Sequence, residues 1–194
     1  MQVVAFIGLT LDGVMQAPGR PDEDRRGGFG HGGWMAPYAD PVQAAGVGRS
    51  MAETEGLLLG RRTYEDFFSV WPGRTDGNPF TDVLNRSQKY VASRTLQEPL
   101  PWVNSTLLRG EAVETVAELR ERPGKNLVIL GSGALVRSLM RSNLVDRYVL
   151  SIHPLALGTG QRLFEDGGPR LRLELVEATP TTTGVILATY RPAG

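Results

Sequence analysis

The feature that most constrains how this chain can fold is a recurring unit. A short apolar run ends on a turn built from glycine, serine and arginine, and in two cases of three a segment with helical spacing follows. Leu57, Leu58 and Leu59 run into Gly60-Arg61-Arg62-Thr63-Tyr64-Glu65, and a helix is expected over residues 63–70, closed by Pro72-Gly73. Leu127, Val128, Ile129 and Leu130 run into Gly131-Ser132-Gly133 and then a helix whose inward face is Leu135, Val136, Leu139 and Met140. Residues 89–92 run into Ser93-Arg94-Thr95 in the same way. Runs so short, with no polar alternation, suit parallel strands buried on both faces.

The remaining segments extend this pattern. Strands are expected over residues 3–9, 103–108 and 146–153, and helices over 41–54, with Asp40 as N-cap and Pro41 in the first helical position, and over 111–122, closed by Pro123-Gly124. Residues 173–178 and 185–191 read as a closing antiparallel hairpin. The sum is a single three-layer α/β domain over residues 1–194, with a mostly parallel sheet and an antiparallel edge. The stretch from Met15 to about Asp40 does not fit as a core element. It carries Gly27, Gly28, Gly30, Gly32 and Gly33, and is expected to be a mobile lid with Trp34 and Tyr38 as pocket walls.

Charge and cysteine content narrow the function. The 21 basic and 21 acidic residues cancel, leaving no global field to hold nucleic acid or an anionic membrane surface, so any anion site must be local. With no cysteine, disulfides, thiol nucleophiles and cysteine-ligated metals are excluded together, a composition compatible with a cytoplasmic location. No apolar run approaches the ~18 residues of a membrane span, and the first residues read as a strand rather than a signal peptide. The two histidines, His31 and His153, have no third residue at metal-ligand spacing, and His153 reads as a packed residue. No nucleophile elbow or Walker loop is present.

The three turns carry the chemistry. In an open α/β sheet, ligands bind at the carboxyl ends of the strands. Gly60 and Gly131 also precede helix N-termini, where unpaired N–H groups and the helix dipole favour a phosphate. Arg61 and Arg94 add positive charge suited to phosphate oxygens, and two arginines favour a nucleotide with an extra ribose phosphate, NADPH over NADH. The pattern Gly28-x-Gly30-x-x-Gly33 follows no expected strand and opens no βαβ unit, so it is read as loop.

Thr10-Leu11-Asp12-Gly13, Gly60-Arg61-Arg62-Thr63-Tyr64-Glu65, Val91-Ala92-Ser93-Arg94-Thr95-Leu96 and Leu130-Gly131-Ser132-Gly133-Ala134-Leu135 together resemble the dihydrofolate reductase-like proteins. Within them the chain is similar to the reductase domain of bacterial bifunctional riboflavin deaminase-reductases, as are Leu144-Val145-Asp146-Arg147-Tyr148, Pro154-Leu155-Ala156-Leu157-Gly158-Thr159-Gly160 and Arg162-Leu163-Phe164. The resemblance implies a cytoplasmic, homodimeric NADPH-dependent oxidoreductase of riboflavin-biosynthesis type. Gly60, Arg61 and Thr63 would hold the pyrophosphate region, Ser93 and Arg94 the 2′-phosphate, and Gly131, Ser132, Gly133 and Leu135 the pyrophosphate and nicotinamide side. Asp12 and Asp40 are the catalytic candidates, and Thr10, Trp34, Tyr38 and Phe67 the substrate-binding ones.

No deaminase half accompanies these motifs, which leaves the substrate open among pteridines, the ribosylaminopyrimidine reduced by 5-amino-6-(5-phosphoribosylamino)uracil reductases, and other small conjugated carbonyls or imines. The rival expectation is a catalytically silent nucleotide-binding module or ligand sensor on the same fold.

Overall fold

Leu57, Leu58 and Leu59 are completely buried, as expected of a strand covered on both faces. The computed structural model describes residues 1–194. The strands are β1 (Gln2–Thr10), β2 (Thr54–Gly60), β3 (Gln88–Ala92), β4 (Ser105–Leu108), β5 (Asn126–Leu130), β6 (Arg147–His153), β7 (Leu173–Pro180) and β8 (Ile186–Pro192). The helices are α1 (Pro41–Ala52), α2 (Arg61–Val70), α3 (Pro79–Arg86), α4 (Ala112–Arg120) and α5 (Gly133–Arg141). The eight strands are ordered β4-β3-β2-β5-β1-β6-β8-β7, a mostly parallel mixed sheet with the expected antiparallel hairpin at its end.

The chain divides into two compact units, Met1–Ala5 with Val47–Asp146, and Phe6–Gly46 with Arg147–Gly194. In the first, β2 pairs in parallel with both β3 and β5, and β3 with β4. Gly60 is in register with Ala92, so the turns that leave β2 and β3 start side by side. Helices α2 and α5 both pack on β2, and α4 packs on α5. Tyr64 is almost fully buried, and its hydroxyl accepts the Trp102 N–H at 3.0 Å.

One element of this unit was not anticipated. Helix α3 starts where Asn78 accepts the Phe80 N–H at 3.0 Å and Pro79 occupies the first turn. Its end is sealed by a buried lysine: the Lys89 Nζ donates to the carbonyls of Leu84 at 2.9 Å and Ser87 at 2.7 Å and lies 4.5 Å from the centre of the Trp102 ring. The carbonyls a helix leaves unpaired at its C-terminus thus find their donors.

In the second unit, β8 pairs antiparallel with β6 and β7. Residues 15–40 differ from the loose lid expected from their glycines. Val14, Ala17, Phe29 and Trp34 form a small core of their own, with Met35, Leu155 and Leu157 against it. The Gln16 amide donates to the carbonyls of Asp24 at 3.2 Å and Arg26 at 3.0 Å, while its Oε1 accepts the Gln161 N–H at 3.0 Å. At Gly32 a Cβ would lie 2.7 Å from the carbonyl oxygens of Arg20 and Pro21, so that glycine serves close packing.

Candidate functional site

The first unit assembles two of the expected turns into one structure. The Gly60 N–H donates to the Ser132 Oγ at 2.9 Å, and the Ser132 N–H donates to the Thr63 Oγ1 at 3.1 Å. These bonds tie the start of α2 to the start of α5. Neither helix is capped by a side chain, since Gly60 has none and the Ser132 hydroxyl makes no capping bond, and neither first turn holds an acidic residue. The first N–H groups of a helix have no partner within it, so two positively polarised helix ends are held together with donors available. Ser132 adopts φ +52°, a left-handed backbone that is uncommon for a non-glycine residue and typical of sites under functional constraint. Gly131, at φ +62°, leads into it. Leu135 is buried in the first turn of α5.

The third turn leaves β3 beside β2. Ser93 is occupied within it, its Oγ accepting the N–H of Thr95 at 3.1 Å and of Leu96 at 3.0 Å. Arg94 has an exposed side chain and a long 3.5 Å contact to Glu111, and Arg61 pairs with Glu65 one turn along α2 at 3.0 Å. Exposed pairs of this kind contribute little, so both guanidinium groups can be recruited to an anion at small cost. Phe67 lies on α2, its ring edge-on to Trp71 at 6.4 Å.

In the second unit, Asp12 and Asp40 are each saturated. The Asp12 carboxylate accepts the Thr10 hydroxyl, the Leu157 N–H at 3.2 Å and the Gly158 N–H at 2.8 Å, with the Arg162 guanidinium 3.5 Å away. The Thr10 hydroxyl, through its strong bond to the anion, and the two N–H donors hold its pKa down at about 2. Thr10 is itself buried and accepts the Val14 N–H at 2.9 Å. Asp40 caps α1, its Oδ1 accepting the N–H groups of Val42 at 2.6 Å and Gln43 at 3.2 Å, while its Oδ2 accepts both the N–H and the hydroxyl of Thr182. Those donors, Thr182 first, hold its pKa below the ordinary carboxylate value.

Trp34 is buried, its Nε1 donating to the Gln16 carbonyl at 2.8 Å. With the half-buried Tyr38 it flanks His153, the two rings edge-on at 5.1 and 5.5 Å. His153 is completely buried, with Nδ1 3.2 Å from the Leu9 carbonyl and 3.0 Å from that of Ser151. Two acceptors at one nitrogen demand a proton there, so the neutral ring carries it on Nδ1 and leaves the Nε2 lone pair buried and unpaired. Burial pushes its pKa down despite those carbonyls.

The partners Leu157, Gly158 and Thr182, and the aromatic enclosure of His153, were not read from the sequence. Only the glycine-rich segment 154–160 hinted at the first two; Thr182 carries no local signal, because its role depends on a contact 142 residues away.

The family model of the RibD C-terminal domain matches residues 1–187. Two uncharacterized proteins of Bacillus subtilis are similar along most of their length. YyaP is 27% identical over 195 residues, 97% of this chain and 94% of its own. YwjB is 26% identical over 176 residues, 90% of this chain and 88% of its own.

Among solved structures, a riboflavin biosynthesis protein from Shewanella superposes with TM-score 0.76 at 24% identity, covering both chains completely. A pyrimidine reductase-like protein from Corynebacterium diphtheriae gives 0.68 at 15% identity, covering 100% of this chain and 92% of the other. A dihydrofolate reductase from Enterococcus faecalis, solved with NADP(H), gives 0.62 at 15% identity, covering 100% and 97%. At these identities the structures establish the dihydrofolate reductase-like fold. No helix is long and apolar enough to cross a membrane.

Proposed function

Because this chain belongs to the RibD C-terminal domain family and has the dihydrofolate reductase-like fold, we propose that it is an NADPH-dependent reductase. Its substrate is a small heterocycle, a pteridine or a ribosylaminopyrimidine of the kind reduced by 5-amino-6-(5-phosphoribosylamino)uracil reductases. The observation that carries this reading is the tie between Gly60, Thr63 and Ser132, which holds two uncapped helix N-termini together. A pyrophosphate placed there meets backbone donors and two helix dipoles without competition from a capping side chain. Gly60, Arg61, Thr63, Gly131, Ser132, Gly133 and Leu135 form that cradle. Ser93 and Arg94 are the residues for the 2′-phosphate, at the end of the strand beside β2.

When bound, NADPH supplies the hydride. The chain holds the nucleotide and the substrate, with Thr10, Trp34 and Tyr38 of the second unit as the substrate-contacting residues in this reading. Asp12 and Asp40 are ionised at neutral pH and already accept several hydrogen bonds each. Their contribution is therefore to hold the segments around the substrate as fixed anions, and the proton that completes reduction comes from water. The same saturation favours a second reading, in which the protein binds the nucleotide and turns nothing over. Oxidation of NADPH in the presence of pterins or pyrimidines distinguishes the two.

Calorimetric titration with NADPH and NADH tests the shared premise. NADPH binds more tightly, and Arg94→Ala lowers its affinity by about tenfold or more, the loss of one charge-assisted phosphate contact, while leaving NADH unchanged. Failure of both nucleotides to bind overturns the assignment, and an equal loss for both removes Arg94 from the 2′-phosphate.

A further inference from the structure

Strand β6 ends on a group that the fold does not use up. With its Nδ1 proton committed to the Leu9 and Ser151 carbonyls, His153 leaves the Nε2 lone pair buried and without a partner. A buried acceptor with no donor is disfavoured, because water satisfies it in the unfolded chain. Holding the end of the strand requires only the Nδ1 side of the ring. The other nitrogen calls for a donor from outside the chain.

The surroundings restrict what that donor is. Trp34 and Tyr38 stand edge-on to the imidazole at 5.1 and 5.5 Å, so a ligand that reaches it between them is flat. Ser151 lies two residues earlier on β6, on the same face of the strand. The buried Gln43 amide donates to the Ser151 Oγ at 3.3 Å, which leaves the Gln43 Oε1 as a second acceptor in the same polar row. All these side chains are uncharged. Asp40, three residues before Gln43, is an anion whose oxygens are taken by Val42, Gln43 and Thr182. An anionic ligand is repelled by that carboxylate, and a ligand with acceptors alone sets lone pair against lone pair, whereas a ring N–H completes the row.

We propose that His153 is a specificity residue of the substrate site, its Nε2 accepting a ring N–H of a flat, neutral, lactam-type heterocycle once the Tyr38 ring has turned aside. Tyr38 is half-buried, and its backbone is fixed while its ring is not. The Thr183 hydroxyl donates to the Tyr38 carbonyl at 3.0 Å, and the Tyr38 N–H donates to the Met35 carbonyl at 3.0 Å. Rotation about the side-chain bonds opens a way to the imidazole while the segment stays in place. The inference rests on the reductase reading for a substrate at this place, and adds the edge by which that substrate is held. Every residue it uses belongs to the second unit, whereas the nucleotide is assigned to the first, so the two assignments fail separately.

Nitrogen-15 NMR of the histidine-labelled full chain tests it at pH 7, where the ring is neutral because burial holds its pKa below the ordinary value. His31→Asn removes the other histidine signal. The probes are lumazine, a pteridine dione with ring N–H groups, and 5,6-diaminouracil; 1,3-dimethyllumazine, the same pteridine ring with no N–H, is the control. The free protein shows a protonated Nδ1 and a bare Nε2. With NADPH present, lumazine or 5,6-diaminouracil moves the Nε2 resonance upfield, the direction for a nitrogen that accepts a hydrogen bond, and 1,3-dimethyllumazine does not. By calorimetry the dimethyl compound binds about tenfold more weakly than lumazine, and His153→Phe, which keeps a ring beside Trp34 and Tyr38, binds the two alike. A purely structural histidine would leave that ratio intact. The resonance measurement changes nothing at position 153, so it decides alone if the phenylalanine variant does not fold. A protonated Nε2 in the free protein, an Nε2 that neither probe moves, or a preference for lumazine that survives in His153→Phe overturns the proposal. NADPH titration of the same samples reads the other assignment: nucleotide bound beside an unmoved Nε2 keeps the reductase reading and removes this one, and a moved Nε2 without nucleotide binding does the reverse.

Discussion

At the scale of single residues, Asp12 shows how a carboxylate beside a candidate site can be structural first. Its oxygens gather donors from both ends of a segment that sequence alone presents as two unrelated turns, residues 10–13 and 157–158. Asp12→Asn keeps the size but presents an amide N–H₂ where one oxygen now accepts. A loss of about 1.5–3 kcal/mol at neutral pH is expected, the range for hydrogen bonds to a charged group. The pH dependence has a definite sign. The native pKa is depressed to about 2 from 3.8, so the stabilisation is complete above about 4 and disappears as pH falls through 2. Urea denaturation at pH 7 and in the acid range checks both parts: the gap between wild type and variant closes on acidification. Equal midpoints at pH 7 would mean that the carboxylate does not hold this loop.

Elements differ in how much of themselves the sequence displayed. The leucine run of β2 and the apolar run of β5 were legible because burial on both faces leaves no polar residue in either. The turns after them were legible because glycine and serine interrupt the pattern there. Helix α3 is signalled in the sequence only by Asn78 and Pro79, a faint pattern because the helix is short and lies between stronger signals. The packing of residues 15–40 was not legible, since Val14, Ala17, Phe29 and Trp34 follow no periodicity and meet only in three dimensions. Lys89 was hidden for a similar reason: in a strand it reads as a surface charge, yet it is fully buried and closes α3.

Burial pushes the Lys89 pKa down to about 8, so it remains charged at neutral pH. Between about 8 and its ordinary value of 10.5, the unfolded chain holds this proton more tightly than the native state, and the residue makes stability rise with pH over that window. Lys89→Met leaves the helix-end carbonyls without their donor and is expected to cost about 1–3 kcal/mol at pH 7. Guanidinium titrations at pH 7.5, 8.5 and 9.5 should show the wild type gaining relative to the variant as pH increases, and parallel curves would place the native pKa near that of a solvated lysine.

For the whole molecule, the chain connectivity matters more than either unit alone. Both β1 and α1 are divided between the two compact units, β1 after Ala5 and α1 after Gly46. Neither unit can lose its share of these elements without breaking a strand or helix that continues into the other. A single cooperative unfolding transition is therefore expected, despite the separation into two sets of contacts.

The tryptophans allow this to be measured, since Trp34 reports on the second unit and Trp71 and Trp102 on the first. Replacing Trp71 and Trp102 by phenylalanine leaves Trp34 as the sole reporter; replacing Trp34 and Trp71 leaves Trp102. Within each variant, the fluorescence transition should coincide with that of far-UV circular dichroism. NADPH at about 100 times its dissociation constant should then stabilise both reporters by about 2.7 kcal/mol, although every residue assigned to the nucleotide belongs to the first unit. If Trp102 responds to the nucleotide and Trp34 does not, the shared strand and helix fail to couple the units, and the second unit unfolds on its own.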